Sequence, residues 1–396
     1  MTKLHFIELF SKISKIGFYV SEGELKRLLL LSFGISQSKT VNISLVNDEI
    51  LLEESGCKSL GSQYNYLLKL FQRGNYEDLI KSCFRFLVIH FYGGEKGVKL
   101  LIDRTNWELG SQKVNILVIG LLTPEGVLIP LIWDDLGYKG NSDSETRIKL
   151  IDQLLRWWQE MQIPVPQFEI IGDREFIGEK WLTALSQRDI QYIIRLRCDL
   201  TFETWLDGEY PIETRMSLPA MHQYMIDNEQ LYMEVVLSGE AIANVFIVKN
   251  ANNYSKKEPF IYFITNLDDI QLAGADYRKR WKIEVCFKHL KSAGFHLEDF
   301  NMSGQHKTNI LMAILTLVYA ITIKEDPDVA DKPEADILFK DGKKYTRKSV
   351  FRKGITRMTQ LKSLDTFLNY CSELLFKTYN KWLFLNYLYI NHLTVQ

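Results

Sequence analysis

Two short apolar runs, each closed by an aspartate, constrain the fold of this chain more than any other feature. Val-Lys-Leu-Leu-Ile-Asp at 98–103 and Phe-Glu-Ile-Ile-Gly-Asp at 168–173 are too short for core helices and too apolar for loops. Both read as buried strands that carry Asp103 and Asp173 to the edge of a sheet. Between them, the runs at 114–122 and 127–133 are joined by Thr-Pro-Glu-Gly, with Pro and Gly where a hairpin turn needs them. Residues 142–161 open with serines and acids and continue with apolar residues at helical spacing, which predicts a capped helix. Residues 178–189 predict another helix and 190–197 another strand. The order strand, hairpin, helix, strand, helix, strand predicts a mixed α/β layer rather than a regular βαβ repeat.

Helical and β-rich segments flank and interrupt that layer. Residues 1–92 read as a small helical module in which Tyr64, Leu67, Leu68 and Phe71 share one face. Residues 93–198 form the first part of the α/β core, 199–270 a strand-dominated insertion, 271–325 the second part of the core, and 326–396 a basic and helical C-terminal region. The apolar stretches at 116–133 and 310–321 read as core elements, the first because Thr-Pro-Glu-Gly interrupts it and the second because it is too short to span a bilayer. The first eighteen residues lack a signal-peptide pattern, which predicts a cytoplasmic protein. Cys57, Cys83, Cys198, Cys286 and Cys371 are scattered, with no zinc-site or disulfide spacing. The seven histidines form no metal-binding motif, and the glycines form no phosphate loop.

The net charge of −1 hides a strong segregation. Residues 1–100 carry 13 Lys/Arg against 10 Asp/Glu, residues 101–276 carry 15 against 27, and residues 277–396 carry 20 against 12, giving +3, −12 and +8. An acidic middle suits a core that gathers cations, and a basic C-terminal third suits a surface that lies on phosphates. Uneven surface charge without a partner is the plainer alternative. Residues 340–362 hold nine Lys/Arg, Arg352 and Lys353 among them, against the single acid Asp341. That segment reads as a phosphate track or as a solvated loop, with Tyr345 and Phe351 as anchors or stacking groups. The closing helix is rich in aromatics and suits packing on the core or pairing of two subunits.

Glu284 completes a possible set of three carboxylates. On one α-helix, Tyr277, Arg280, Glu284 and Lys291 fall within a sector of about 60°. Such a face could hold a metal on the glutamate while its basic neighbours clasp a phosphate backbone and Tyr277 meets a nucleotide. It could equally be an exposed helix laced by an Arg280–Glu284 pair. Phosphodiester cleavage needs an activated oxygen on one side of phosphorus and a stabilised leaving oxygen on the other, and divalent ions held by a few carboxylates supply both. Asp103 and Asp173 could also be acids that merely start turns, and Asp134 and Asp135 follow a strand in the same way. Trp107 suits either DNA positioning or packing. Arg104 and Arg174, next to the aspartates, suit either neutralisation or phosphate contact.

The spacing Tyr-x2-Arg-x3-Glu-x6-Lys at 277–291, with Ile-Asp-Arg-Thr-Asn-Trp at 102–107 and Ile-Gly-Asp-Arg-Glu-Phe at 171–176, resembles the bacterial cut-and-paste insertion-sequence transposases of the DDE type. Gly-Phe-His-Leu-Glu at 294–298 looks like the usual continuation. Glu175 and Phe176 stand where that family often carries a small residue. The resemblance runs from about 98 to 320 and implies an RNase H-like catalytic core interrupted by the β-rich insertion. It implies Asp103, Asp173 and Glu284 as catalytic metal ligands, with Mg²⁺ or Mn²⁺ as cofactor. It also implies Tyr277, Arg280 and Lys291 as contacts to transposon DNA. The partners implied are double-stranded DNA, meaning the inverted-repeat ends of a transposable element and the target, and a second copy of the chain to bring two ends together. A non-mobile nuclease or recombination enzyme with the same core, or an inactive DNA-binding descendant, are the rival readings. The helical module at 1–92 suits end recognition or a structural or dimerising role.

Overall fold

Burial along the first strand shows how the core is organised. Residues 100–102 are buried on both faces, whereas from Thr105 to Glu108 buried and exposed side chains alternate, so one face of the sheet opens to solvent just beyond Asp103. The computed structural model describes residue 11 and residues 19–73, 76–109, 112–206, 212–237, 241–250, 259–323, 337–338, 344–345 and 349–393.

In chain order the strands are β1 (Gly97–Leu109), β2 (Gln112–Leu122), β3 (Leu128–Asp135), β4 (Gln167–Gly172), β5 (Gln191–Arg195), β6 (Thr201–Leu206), β7 (Ile212–Ser217), β8 (Tyr232–Val236), β9 (Ile242–Lys249) and β10 (Phe260–Thr265). They form one sheet in the order β3-β2-β1-β4-β5-β10-β9-β8-β6-β7. β1, β4 and β5 are parallel neighbours, and β2 and β3 fold back antiparallel from β1. The structure therefore has the expected mixed core, and the strands of the insertion extend the same sheet through the antiparallel pairing of β10 with β5. The strand pair β6 and β7 and the helix Leu218–Asp227 within this insertion carry no periodicity strong enough to be read from sequence.

The helices are α1 (Glu22–Ser38), α2 (Ile43–Asp48), α3 (Leu52–Ser55), α4 (Leu60–Leu68), α5 (Glu77–Phe91), α6 (Ser144–Gln159), α7 (Glu179–Ser186), α8 (Leu218–Asp227), α9 (Ile270–Tyr277), α10 (Trp281–Leu290), α11 (Gln305–Ile323), α12 (Val350–Met358) and α13 (Leu364–Leu393). Caps define several of them. Ser21 and Glu24 close a capping box on α1, and the side chain of Asp143 accepts from the N–H of Thr146 at the start of α6.

The helix α11 is long and apolar enough to cross a membrane by length and composition, but 89% of its most apolar window is buried inside the protein. It serves as the central pillar against which α1, α5 and α12 pack. The C-terminal helix α13 packs on α1 and α5 and leaves Phe376, Leu383, Phe384 and Tyr387 exposed. Most of the basic stretch at 340–348 lies outside the described residues, including Lys340, Lys343, Arg347 and Lys348.

Candidate active site

The parallel pairing of β1 with β4 sets Ile102 opposite Gly172, so Asp103 and Asp173 stand side by side where that pairing ends. The strand β4 stops at Gly172, whereas β1 runs on to Leu109 beside β2, so Asp103 lies within its strand and not at the strand end its sequence suggests. Gly172 permits this close fit. A Cβ there would lie 2.9 Å from Ile194 Cδ1 and 3.0 Å from Ile102 Cγ2, closer than packed carbons approach. In each aspartate, Oδ1 accepts the backbone N–H of the following arginine at 2.8 Å, which fixes the carboxylate against its own backbone.

The third carboxylate comes from the segment expected as one continuous helix. It is two helices, α9 and α10, joined by a 3₁₀ turn at Arg278–Arg280. In a 3₁₀ turn residues three apart eclipse, so Tyr277 and Arg280 still point the same way, and Glu284 follows one α-helical turn later. Their shared face lies over the two aspartates. Arg280 Nη1 is 3.5 Å from Asp103 Oδ2 and 4.0 Å from Asp173 Oδ2, while its Nη2 is 2.5 Å from Glu284 Oε1. The Tyr277 hydroxyl donates to Asp173 Oδ1 at 3.3 Å, and its ring packs 4.6 Å from that of Phe263 on β10. Arg195, at the end of β5, adds a cation 3.9 Å from Asp173 Oδ1. Three acids far apart in sequence thus meet around one guanidinium.

Lys291 does not join this group. The helix α10 ends at Leu290, so Lys291 is its capping residue. The Lys291 ammonium donates to the Asn106 carbonyl at 2.7 Å, pairs with Glu298 at 2.9 Å and lies 5.6 Å from the Trp107 ring. Gly294 is needed for space, since a Cβ there would lie 2.2 Å from the His289 carbonyl oxygen and 2.5 Å from Phe351.

Burial is the largest influence on Asp103 and pushes its carboxyl up to about 6, with Glu175 and Asp173 adding to the rise. The N–H of Arg104 and the Arg280 guanidinium oppose it. Burial also disfavours the charge on Arg280, but Tyr277, Asp173 and Glu284 outweigh it and hold the guanidinium more firmly protonated than usual. The Tyr277 phenol is pushed up by burial and by Asp173. The donor set, three carboxylates and no sulfur or imidazole, fits a small hard cation such as Mg²⁺ or Mn²⁺. Among the described residues, no three His, Cys, Asp or Glu side chains stand close enough to hold a metal as they are arranged, because these three face the guanidinium.

The remaining residues singled out from sequence go elsewhere. Arg104 projects to the opposite face of β1, where it donates to Glu175 Oε1 at 2.8 Å, Asn115 Oδ1 at 3.1 Å, Asn141 Oδ1 at 2.8 Å and the Gly140 carbonyl. Arg174 is exposed beside Asp173. Trp107 is 8% exposed, and its Nε1 is buried without a hydrogen-bond partner. Asp134 pairs through Leu117 with Arg104 across the sheet and so faces away from Asp103. Asp135 is buried and accepts the N–H groups of Asn115 and Gly137 at 3.2 and 3.1 Å. Arg352 is exposed in the first turn of α12, Lys353 is half-buried, and Phe351 is buried against His289 with ring centroids 4.0 Å apart.

Sequence reasoning missed Arg147. This residue is 3% exposed and donates to Ser142 Oγ at 2.9 Å and to the carbonyls of Ile177 and Glu175 at 3.2 and 2.9 Å, bracing the turn that follows Asp173. Its guanidinium sits over Phe176, 5.1 Å from the ring centroid. The packing of that turn explains Glu175 and Phe176: the first pairs with Arg104, and the second fills the core beneath Arg147. No sequence signal marks Arg147, because a basic residue early in an amphipathic helix normally lies in solvent.

The span that carries this site coincides with a known family. The family model described as Transposase DDE domain matches residues 96–321. The chain belongs to that family. The match opens at β1 and closes within α11, so it takes in Asp103, Asp173 and Glu284 together with the whole of the insertion. The protein is therefore a transposase-class enzyme that acts on DNA. Comparison with curated proteins returns no match.

Proposed function

We propose that this transposase cuts phosphodiester bonds at the ends of its own mobile element and joins the freed ends to target DNA. Asp103, Asp173 and Glu284 would hold Mg²⁺ or Mn²⁺. The bound ions would lower the cost of forming the attacking oxygen and stabilise the leaving one. The observation that supports this reading is the approach of all three carboxylates to a single guanidinium beside the point where the parallel pairing of β1 and β4 ends.

The chain's own residues have separate tasks in this scheme. Tyr277 and Arg195 hold the Asp173 carboxylate in place from two sides. Arg280 neutralises the acids in the absence of DNA and is suited to a phosphate of the substrate when those acids are otherwise engaged. Arg174, exposed beside Asp173, is suited to a phosphate from the open side, as are Arg352 and Lys353 on α12. In the first reaction water attacks phosphorus and the 3′-oxygen leaves as a hydroxyl. In the second, that hydroxyl attacks a phosphorus of target DNA, one P–O bond forming as another breaks.

The test is Glu284→Gln on a duplex carrying the element's end. Cleavage in Mg²⁺ and joining of a pre-cut end should both disappear while DNA affinity is kept. Retained cleavage in Glu284→Gln and in Asp173→Asn would remove the proposed roles. Joining of a pre-cut end by the wild-type chain separates a transposase from a nuclease that only cuts.

A further inference from the structure

A second charged cluster lies on the same face of the sheet as Asp103 and Asp173, and its two acids are buried. Lys99 and Glu169 are direct partners in the β1–β4 register, four residues before Asp103 and Asp173 on their respective strands. Side chains alternate along a strand, so residues four apart share a face, and the cluster stands about 13 Å from the aspartates. The Lys99 ammonium lies 2.8 Å from Glu169 Oε2 and 2.7 Å from Asp276 Oδ2, and the Lys279 ammonium lies 2.5 Å from Asp276 Oδ1. Asp276 is 1% exposed and Glu169 5%. Asp276 immediately precedes Tyr277, and Lys279 immediately precedes Arg280. Lys99 of β1, braced by Glu169 of β4, is thus bonded to the residue that leads into the 3₁₀ segment, and Lys279 within that segment bonds the same carboxylate.

Buried ion pairs are an expensive way to gain stability, because desolvation cancels most of the attraction and apolar side chains of equal volume do as well. Their directional bonds can instead select one register for packed elements. A 3₁₀ segment between two α-helices has weak hydrogen bonding of its own and several ways to lie on a sheet. Here Asp276 accepts from a strand residue and from the turn itself, which leaves the segment one seating.

We propose that Lys99, Glu169 and Asp276 are positioning residues: they fix the Arg278–Arg280 turn on the sheet so that Tyr277 and Arg280 face Asp103 and Asp173, and through that placement they set the rate of strand cleavage. The inference rests on the transposase reading above.

The test uses the full chain with single-turnover cleavage of saturating end DNA, DNA affinity and thermal melting measured in parallel. Asp276→Asn should slow cleavage by about 10- to 100-fold, the range expected when a catalytic group is displaced by an ångström, with DNA affinity retained. In an Arg280→Ala background the same substitution should add little, because its effect passes through Arg280. A full additive loss in that background would overturn the proposal. Because Asp276→Asn unbalances the charges of a largely buried cluster, the triple variant Lys99→Met, Glu169→Met, Asp276→Met is the second arm. It should melt near the wild type yet cleave slowly, and wild-type cleavage by it would also overturn the proposal. If the wild-type chain cleaves no end DNA, the transposase reading fails by itself, and amide exchange over residues 277–284 then decides the clamp. Faster exchange there in Asp276→Asn, with β1 and β4 still protected, supports it, and unchanged exchange removes it.

Discussion

The guanidinium of Arg280 stands 3.5 Å from the carboxylate of Asp103, a residue 177 positions earlier in the chain. The contact links the 3₁₀ turn before α10 to β1 and supplies the cation that opposes the effect of burial on this acid.

The Asp103 carboxyl is raised from its ordinary 3.8 to about 6. A folded-state value above the unfolded one means that the folded protein holds the proton more tightly. This contribution is therefore full below about pH 4 and is lost as pH rises through 6. Asp103→Asn should abolish that slope and make the metal-free protein more stable than the wild type above pH 6, by on the order of 2 kcal/mol. Urea unfolding in the presence of a chelator, from pH 4 to pH 7, reads the difference. Equal slopes for both proteins would mean that Asp103 is not the titrating acid.

Trp107 separates packing from DNA contact. Its ring is buried and its Nε1 lacks a partner, so Trp107→Phe loses little and relieves a buried, unbonded N–H. Stability should change by less than about 1 kcal/mol and DNA affinity should stay the same. A clear loss of affinity with unchanged melting would assign the indole to the nucleic acid.

Arg352 sits in the first turn of α12, the end of a helix dipole that disfavours cations, with Ser349 as the cap. A phosphate at that helix start would turn an unfavourable placement into a favourable one. Arg352→Ala should lower DNA affinity uniformly across sequences and reduce the slope of log affinity against log salt by about one unit. An unchanged slope would take α12 off the DNA.

Gly354 lets α12 rest on α11. A Cβ at this position would lie 1.7 Å from the carbonyl oxygen of Thr322, a backbone atom that cannot swing aside. Gly354→Ala should destabilise the protein by about 1–3 kcal/mol. It should also weaken DNA binding if α12 carries phosphate contacts. Melting and DNA titration of the variant check both, and a neutral substitution would contradict the packing described.

The strands that lead into Asp103 and Asp173 were legible because each is an unbroken apolar run closed by a charge, a pattern set by burial on both faces. The strand β1 nevertheless continues past Asp103 to Leu109, where one face is open to solvent and the apolar run gives way. The face of Tyr277, Arg280 and Glu284 was legible for a weaker reason. Spacing of three and then four residues stays in phase whether the first step is α or 3₁₀, so the break at Arg278–Arg280 left no trace in the pattern. Lys291 was misjudged by the same projection, because a helical angle means nothing beyond the last helical residue. Gly294 has Phe351 as its neighbour across the fold, and no local rule reveals that proximity. Arg147, Lys99, Glu169 and Asp276 are ordinary charged residues in sequence, and only tertiary packing makes them interior ones.

The presence of Arg280 among the acids has one more outcome. Carboxylates gathered to bind an ion repel one another until a positive charge stands among them, and in many metal-dependent modules that charge is the ion itself, whose binding supplies folding free energy. Here a covalently attached positive group performs that service from the moment the chain is packed, so chelators should leave the architecture standing, and loading an ion becomes an exchange of one countercharge for another rather than a step of assembly.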